Sequence, residues 1–293
     1  MKEIRHCPVC QESSFDLFLD VKDHMITKEQ FKIVECKNCG FHFANPIPTA
    51  DEIGKYYKSD EYISHSSNKK GLINFLYNIV RKVTLQKKLK WVKHETSGKN
   101  LLDIGSGTGH FLKVANKSGF HGAGIEPDND ARDFAHKTNH VRSSPQETLY
   151  EIENESIDVI TMWHVLEHVY DLRKDVQKIH DLLVSNGQLF IAVPNMASYD
   201  AQYYKEFWAA YDVPRHLYHF QQHDISRFML DFGLDLKKVI PMKYDSYYVS
   251  MLSEKYKRRF SPFGFILGFI SNRKAKKYGY SSQVYVFEKS SLH

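Results

Sequence analysis

The chain has 293 residues, enough to bury a sizeable core in one large domain or in two modest ones. Lys and Arg together number 40 and Asp and Glu number 35, and a net charge of +5 over this length does not argue for a nucleic-acid partner. No stretch of ~18 apolar residues predicts a transmembrane helix, and no apolar stretch near the start resembles a signal peptide, so we expect a cytoplasmic protein.

The first 45 residues contain all four cysteines, arranged in two CxxC pairs. Cys7 and Cys10 form the first pair, and Cys36 and Cys39 form the second, which Gly40 follows. In a reducing compartment, four thiolates from two tight turns suit a tetrahedral zinc ion better than disulfides. Because four thiolates close the coordination sphere, we expect a structural zinc rather than a catalytic one. Redox chemistry, or a site that has lost its metal, is the alternative.

A segment with Pro46 and Pro48 follows the cysteines and leads into a predicted helix. Apolar residues recur at helical spacing from about residue 70 to about residue 94, and Gly98 marks the stop. The chain therefore divides into a zinc-ribbon segment at 1–45, a linker and an amphipathic helix at 46–98, and a larger domain at 99–293. We expect the helix to cover the active site of that domain.

Short apolar runs alternate with helical patterns in the first part of the larger domain. Strands are predicted at 101–104, 122–125, 157–162 and 188–193. Helices are predicted to begin near His110, Asp128 and Asp171. Alternation of this kind is typical of a parallel sheet covered on both faces, and a closing strand is expected at 283–289.

A glycine-rich segment, LDIGSGTGHF, includes the end of the first of these strands. Its glycines, Gly105, Gly107 and Gly109, fall at i, i+2 and i+4, whereas the dinucleotide fingerprint needs i, i+2 and i+5. Asp103 before the turn would repel a pyrophosphate, and Glu126 after the second strand can accept both ribose hydroxyls. Together they suit an adenosine with a cationic amino-acid tail, which is the form of S-adenosylmethionine. A tight turn without a ligand and a nicotinamide dehydrogenase are the alternatives.

Three motifs, LDIGSGTGHF, GIEPD and IDVITMWHVLEHV, resemble those of class I S-adenosylmethionine-dependent methyltransferases. The resemblance covers about 99–240 and implies an α/β fold with a Rossmann-like sheet of seven strands, mostly parallel, with the last strand antiparallel. The residues that match the family's cofactor-contacting positions are Asp103, Gly105, Ser106, Gly107, Glu126, Pro127, Gln146, Glu147, Met162, Trp163 and His164. Gln146 or Glu147 is the adenine candidate, although the family's usual Gly-Asp is absent there. Simple core packing is the alternative for Trp163.

The segment WHVLEHV contains His164, Glu167 and His168. His164 and His168 are four residues apart and would share one face of a helical turn. Glu167 and His168 resemble a Glu-His pair in ubiquinone-biosynthesis-type O-methyltransferases, where a divalent metal has been considered. The preferred interpretation of Glu167 is structural, with its side chain capping the turn and holding the loop.

The segment FWAAYDVPRHLYHF at 207–220 is a candidate acceptor site because aromatic walls with a few polar groups are typical of small-molecule pockets. An imidazole there suits a general base that takes a proton from an acceptor hydroxyl. We predict this role for His216 or His219, on one face of a helical turn, with His164 as the next candidate. Trp208 and Tyr211 are predicted to form the walls. The alternative is a cover in which the histidines only satisfy backbone carbonyls.

A basic and apolar stretch interrupts the end of the domain, as an insertion at 251–280. Residues 255–277 contain eight basic side chains and no acidic ones. Contact with a membrane surface or a lipid-linked acceptor is one interpretation. The preferred one is a hairpin or helix packed over the domain, with its basic flanks in water.

The expected function is methyl transfer from S-adenosylmethionine to a small molecule, a sugar, or a polysaccharide or lipid-linked precursor, by O-methylation. A zinc ribbon ahead of such a domain resembles a bacterial branch that modifies sugars, polysaccharides and small metabolites. An RNA-modifying methyltransferase is one alternative. A nucleoside-binding protein of the same fold without activity is the other.

Overall fold

The computed structural model describes residues 1–57 and 72–290, and the side chains of the second range from residue 81 onwards. The strands are β1 Phe15–Lys22, β2 Gln30–Cys36, β3 His42–Ala44, β4 Asn100–Ile104, β5 His121–Ile125, β6 Ser143–Ser144, β7 Ile157–Trp163, β8 Leu183–Pro194, β9 Tyr218–His219, β10 Leu234–Pro241 and β11 Ser282–Lys289. The helices are α1 Leu72–Glu95, α2 His110–Lys117, α3 Asn129–Phe134, α4 Leu172–Leu182, α5 Tyr199–Tyr204, α6 Gln222–Leu230, α7 Asp245–Tyr256 and α8 Phe263–Tyr278.

Seven strands form the large sheet, in the order β10-β11-β8-β7-β4-β5-β6. The pairs from β8 to β6 are parallel, and β11 is antiparallel to both of its neighbours. This confirms the expected Rossmann-like sheet. Asp103 in β4 pairs with Thr161 in β7, so these two strands end at the same edge of the sheet. That edge is where ligands bind in open α/β folds.

Aspartates begin two of the predicted helices. The side chains of Asp128 and Asp171 accept hydrogen bonds from the backbone N–H groups of Ala131 and Lys174, and α3 and α4 start directly after them. Strand β8 is longer than its apolar run predicts because α4 leads into it without a loop.

The core lies on both faces of the large sheet because alternate residues of each strand point to opposite faces. In β8, Leu189 and Ile191 belong to the cluster that includes α4 and α6, whereas Phe190 packs with Leu89 of α1 and Phe111 of α2. The described part of α1 therefore covers one face of the sheet, and the cover that it was expected to give the active site stays a prediction.

The second sheet is small and antiparallel, with the order β1-β2-β3-β9. Its fourth strand comes from the larger domain, and Phe43 pairs with Tyr218. The predicted helical turn at 216–219 is therefore wrong, because the backbone of 218–219 is extended and pairs with β3. Residues 1–45 share this sheet with the segment predicted to form the acceptor site.

Helices α7 and α8 form a packed pair, but the apolar centre of the 251–280 insertion, which was expected to pack over the domain, is largely exposed. Gly264 and Gly268 of α8 lie directly against the backbone of α7. Across residues 1–57 and 72–290, no helix combines the length and the apolar character needed to cross a membrane.

Candidate active site

The glycine loop exposes its backbone at the carboxyl end of β4. Gly105 and Gly107 have φ angles of +70° and +52°, which favour glycine. A Cβ on Gly105 would lie 2.3 Å from Cγ2 of Val165, whereas a Cβ on Gly107 would meet nothing within 4 Å. Gly107 therefore leaves its backbone open to a ligand. Gly109 packs closely against Val141, since a Cβ on Gly109 would lie 2.4 Å from the Val141 side chain. In the dinucleotide fingerprint the closely packed glycine comes one residue later, at position 110.

Glu126 is buried beside this loop, and backbone donors orient its carboxylate. Oε2 accepts a hydrogen bond of 2.7 Å from the N–H of Gly107, and Oε1 accepts one of 2.9 Å from the N–H of Asp128. Each oxygen keeps a lone pair for a further donor. Burial raises the pKa of Glu126, against the effect of the two N–H groups. The arrangement matches a carboxylate that accepts two neighbouring hydroxyls.

Asp103 is only 2% exposed, and its Oδ1 accepts a hydrogen bond of 2.6 Å from the Thr161 hydroxyl. Burial raises the pKa of Asp103 to about 7. Lys88 of α1 comes close to this carboxyl, and its Nζ lies 4.5 Å from the centroid of the Trp163 ring. Burial lowers the pKa of Lys88 to about 8, although Asp103 and Asp245 favour its charge. The sequence did not predict a role for Lys88, because α1 contains several lysines and no motif distinguishes Lys88 from the others.

Other predicted donor residues occupy different positions. The Met162 side chain is buried in the core, and its predicted place beside the sulfonium stays a prediction. The Ser106 hydroxyl lies 2.8 Å from that of Ser143, which ties the loop to β6. Cofactor contacts by Ser106 stay a prediction. Cofactor contacts by Pro127, which is exposed, also stay a prediction. So do those of half-buried Gln146 and exposed Glu147, the first two residues of the helical turn Gln146–Tyr150.

His164 lies between two carboxylates after β7. Its Nδ1 is 3.4 Å from Oε1 of Glu167, and its Nε2 is 3.4 Å from Oδ2 of Asp245. Burial opposes a charge on this ring, but the two carboxylates outweigh burial and raise the pKa of His164 to about 9. The imidazole is therefore protonated at neutral pH. A protonated ring is poorly suited to accept a proton, so the structure favours His216 over His164 as the candidate base.

His216 has the hydrogen-bond pattern of a base. Its Nδ1 lies 2.8 Å from the carbonyl oxygen of Ala210, and since a carbonyl only accepts, Nδ1 donates. The lone pair of the neutral ring is then on Nε2. Nε2 lies 3.9 Å from Oε1 of Glu167 and 4.0 Å from Oδ2 of Asp212. The side chain is 12% exposed.

His168 also points its Nδ1 at a backbone carbonyl oxygen, as His216 does. Its Nδ1 lies 2.8 Å from the carbonyl oxygen of Arg215, and its ring is nearly perpendicular to that of His216, with centroids 4.7 Å apart. Burial and the nearby His216 lower the pKa of His168 to about 4. The ring is therefore neutral, and its lone pair is on Nε2.

Glu167 is fully buried and has two roles. Its backbone carbonyl, rather than the side chain that the structural interpretation invoked, accepts a hydrogen bond of 2.7 Å from the N–H of Leu217 and so holds the loop. Neither carboxylate oxygen makes a hydrogen bond to a residue that the structure describes. The carboxylate and the His168 and His216 rings place their ligand atoms within 4.8 Å of one another. Two imidazoles and a carboxylate could hold a divalent ion such as zinc.

A methyltransferase-domain family model matches residues 79–239, more than half of the chain. The chain belongs to the methyltransferase-domain family. The glycine loop, Glu126 and Asp103 lie within the matched range, and their contacts with S-adenosylmethionine stay a prediction. No curated protein sequence matches the chain significantly.

Solved structures of S-adenosylmethionine-dependent methyltransferases share the fold. One from Archaeoglobus fulgidus is 17% identical, with a TM-score of 0.51 over 74% of this chain and 99% of that one. One from Thermotoga maritima is 15% identical, with a TM-score of 0.50 over 74% of this chain and 97% of that one. The phosphoethanolamine N-methyltransferase 2 of Haemonchus contortus, solved with S-adenosylhomocysteine, is 18% identical, with a TM-score of 0.50 over 71% and 53%.

Three residues predicted for the acceptor side of this methyltransferase are enclosed. His219 is 4% exposed, contacts the Tyr211 ring edge-on, and has its pKa lowered well below the ordinary value by burial. Trp208 donates a hydrogen bond of 2.8 Å to Asp200 and packs with Tyr211 in the core. His219 as a catalytic residue, and Trp208 and Tyr211 as pocket walls, are therefore wrong. These side chains pack in the core beneath the segment 207–220.

Arg215 fixes the segment that carries the methyltransferase's candidate base. Its buried guanidinium forms two hydrogen bonds with the Asp212 carboxylate, of 2.6 and 3.0 Å. It also donates to the Tyr56 carbonyl at 2.9 Å and to Asp23 Oδ1 at 3.1 Å. Sequence reasoning gave Arg215 no structural role because two of its partners lie far earlier in the chain.

The four cysteines of this methyltransferase converge on one point. Their sulfur atoms lie within 4.8 Å of one another, with Cys7 and Cys39 at 3.6 Å and Cys10 and Cys36 at 3.5 Å. Tetrahedral zinc with Zn–S bonds of about 2.3 Å would space its ligands by about 3.8 Å. All four residues are free thiols, and their spacing fits a zinc ion.

Proposed function

We propose that the methyltransferase transfers a methyl group from S-adenosylmethionine to a hydroxyl of a small molecule or saccharide, with His216 as the general base. One observation carries this proposal. The Ala210 carbonyl holds the Nδ1 proton of His216, so that Nε2 of the neutral ring carries the lone pair. Nucleic acid is not favoured as the acceptor, since the net charge of the chain is only +5.

The donor would be held by groups on both sides of the glycine loop. Glu126 would accept the two ribose hydroxyls, and Asp103 would accept the amino group of the methionine part. Lys88, which lies close to Asp103 and Trp163, would pair with the carboxylate of that part. The positive sulfonium would then lie near the Trp163 ring, where an aromatic face favours a cation.

The reaction is an in-line displacement at carbon. The acceptor oxygen forms a bond to the methyl carbon, the carbon–sulfur bond breaks, and the electron pair stays on sulfur as S-adenosylhomocysteine forms. The hydroxyl proton passes to Nε2 of His216. Glu167, 3.9 Å away and with its pKa lowered although burial alone would raise it, stabilises the imidazolium that results. The protein's main contribution is positioning.

We also propose that Cys7, Cys10, Cys36 and Cys39 hold a structural zinc ion, as suits a cytoplasmic protein. The sulfur spacing supports this ion. With four thiolates in place no open position would remain, so the zinc would contribute folding energy rather than chemistry.

Transfer of a radiolabelled methyl group to a panel of hydroxylated small molecules and saccharides tests the function. His216→Gln should lower turnover by ~10²-fold or more, with donor affinity unchanged. The matched control is His223→Gln, since His223 is exposed on α6. Normal turnover by His216→Gln would reject the base. If a chelator abolishes activity while metal analysis shows the cysteine-bound zinc still in place, and a divalent ion restores activity, Glu167, His168 and His216 would instead be assigned to a metal. Labelling of RNA alone would reject the acceptor class.

A further inference from the structure

Helix α8 turns its small residues inward. The buried positions of this helix are Gly264, Gly268, Ser271 and Ala275. A Cβ on Gly264 would lie 2.4 Å from Cα of Met251, and a Cβ on Gly268 would lie 2.7 Å from Cα of Tyr247. The backbones of α7 and α8 therefore touch. Close approach through small residues is typical of helix pairs in lipid.

The large apolar residues of α8 face solvent instead. Phe263, Phe265, Ile266 and Phe269 leave between 50% and 58% of their surfaces exposed, and Phe260 in the preceding loop leaves 67%. A helix that packs on a protein core normally buries its bulky apolar residues. In α8 these bulky apolar residues are exposed instead, and an exposed apolar patch of this kind indicates a binding surface for an apolar partner.

Basic residues continue the same face of the helix. Helical spacing places Arg273, Lys276 and Lys277 in line with Ile266 and Phe269. We name these five residues, together with Phe263 and Phe265, the α8 outer face. Its three basic side chains are exposed, and none forms an ion pair with any residue in the described part of the chain.

We propose that the α8 outer face docks the protein on a bilayer that contains anionic lipids. The aromatic half would enter the boundary between headgroups and acyl chains, and the basic half would contact lipid phosphates. Charge complementarity favours this occupant, since residues 255–277 have eight basic side chains and no acidic ones. A second copy fits less well, because a two-fold interface through this face would bury its basic residues against a segment that has no acidic side chain to pair with them.

The docked face adjoins the active site. A groove of about 800 Å³ runs between α1 and the α7–α8 pair, and its lining includes Tyr244, Asp245, Phe269 and Arg273. Asp245 contacts His164 at the far side of this groove. Docking would therefore turn the groove toward the lipid surface.

Sedimentation of the full chain with vesicles tests the proposal. We expect binding to vesicles of phosphatidylcholine with phosphatidylglycerol, much less binding to phosphatidylcholine alone, and weakening by salt. The double variant Phe263→Ser and Ile266→Ser should lower partitioning by at least about tenfold. The matched control, Leu17→Ser with Leu230→Ser, removes two equally exposed apolar side chains elsewhere and should bind like the wild type.

Charge variants distinguish binding through the α8 outer face from nonspecific attraction of basic side chains to anionic vesicles. Changing Arg273, Lys276 and Lys277 to Gln should weaken binding, whereas changing Lys32, Lys93 and Lys117 to Gln should not. No binding of the wild type to anionic vesicles would overturn the proposal, as would equal binding by the Phe263→Ser, Ile266→Ser variant. A concentration-dependent dimer that this variant abolishes, without vesicle binding, would assign the face to a second copy.

Discussion

The guanidinium of Arg215 lies 3.1 Å from the carboxylate of Asp23, a residue 192 positions earlier in the chain. Both side chains are almost completely buried. The pair joins the N-terminal segment to the segment that carries His216, so the acceptor side depends on residues outside the matched methyltransferase range.

Arg215→Lys should therefore lower the stability of the segment that carries His216 and leave the binding of the methyl donor intact. Lysine keeps the charge but cannot reproduce the fork that reaches Asp212, Asp23 and the Tyr56 carbonyl. We expect a loss of about 2–4 kcal/mol in the free energy of unfolding, measured with urea, and at least about tenfold lower kcat. Affinity for S-adenosylhomocysteine should stay unchanged. Arg227→Lys, on exposed α6, is the control, and an unfolding midpoint equal to the wild type would contradict this role.

Donor affinity should rise with pH because of Asp103. Its pKa of about 7 means that the free protein holds a proton on this carboxyl at lower pH, whereas the ligand's ammonium group favours the carboxylate. Affinity for S-adenosylhomocysteine should increase by up to about tenfold per pH unit from about pH 5.5 to about 7, and then level off. Calorimetry should show proton release over this window. Asp103→Asn should bind weakly and lose the pH dependence, and a flat wild-type profile would reject the assignment.

Glu126→Gln should lower donor affinity with the fold intact. The amide keeps one oxygen for the Gly107 or Asp128 N–H but cannot accept from both ribose hydroxyls. Losing charge-assisted hydrogen bonds worth roughly 1.5–3 kcal/mol each predicts an affinity at least about tenfold lower. Glu153→Gln, at an exposed position before the start of β7, separates this effect from a general change of charge. Calorimetry that finds both variants equal to the wild type would refute the ribose assignment.

Metal removal should disturb the acceptor side before the donor side. Metal analysis of protein made under reducing conditions should find about one zinc per chain. Cys39→Ser should lose that zinc and loosen residues 1–45, and hydrogen exchange should then rise at β9 as well, because β3 pairs with it. Binding of S-adenosylhomocysteine should persist while methyl transfer falls. Unchanged exchange at residues 218–219 would show that the two parts are independent.

Local signals were enough to predict that Asp103, the glycine turn and Glu126 lie close together. Asp103, the glycine turn and Glu126 lie at the ends of consecutive strands, so the order of elements alone brings them together. The acceptor side depends on contacts between distant parts of the chain. Strand β9 forms only because β3 is beside it, and Lys88 reaches the site from a helix without a motif. The orientation of α8 also escaped prediction, because its small residues, rather than its aromatic ones, mark the packed face.

The shared small sheet has a consequence for biosynthesis. Residues 42–44 leave the ribosome long before 218–219, so β3 has one bare edge during most of translation, and bare edges invite wrong pairing. Pairing of such distant strands is also slow. A zinc ion bound early by the two cysteine turns would hold the first strands together until β9 arrives. We therefore expect zinc present during synthesis, rather than zinc added afterwards, to decide the yield of native protein.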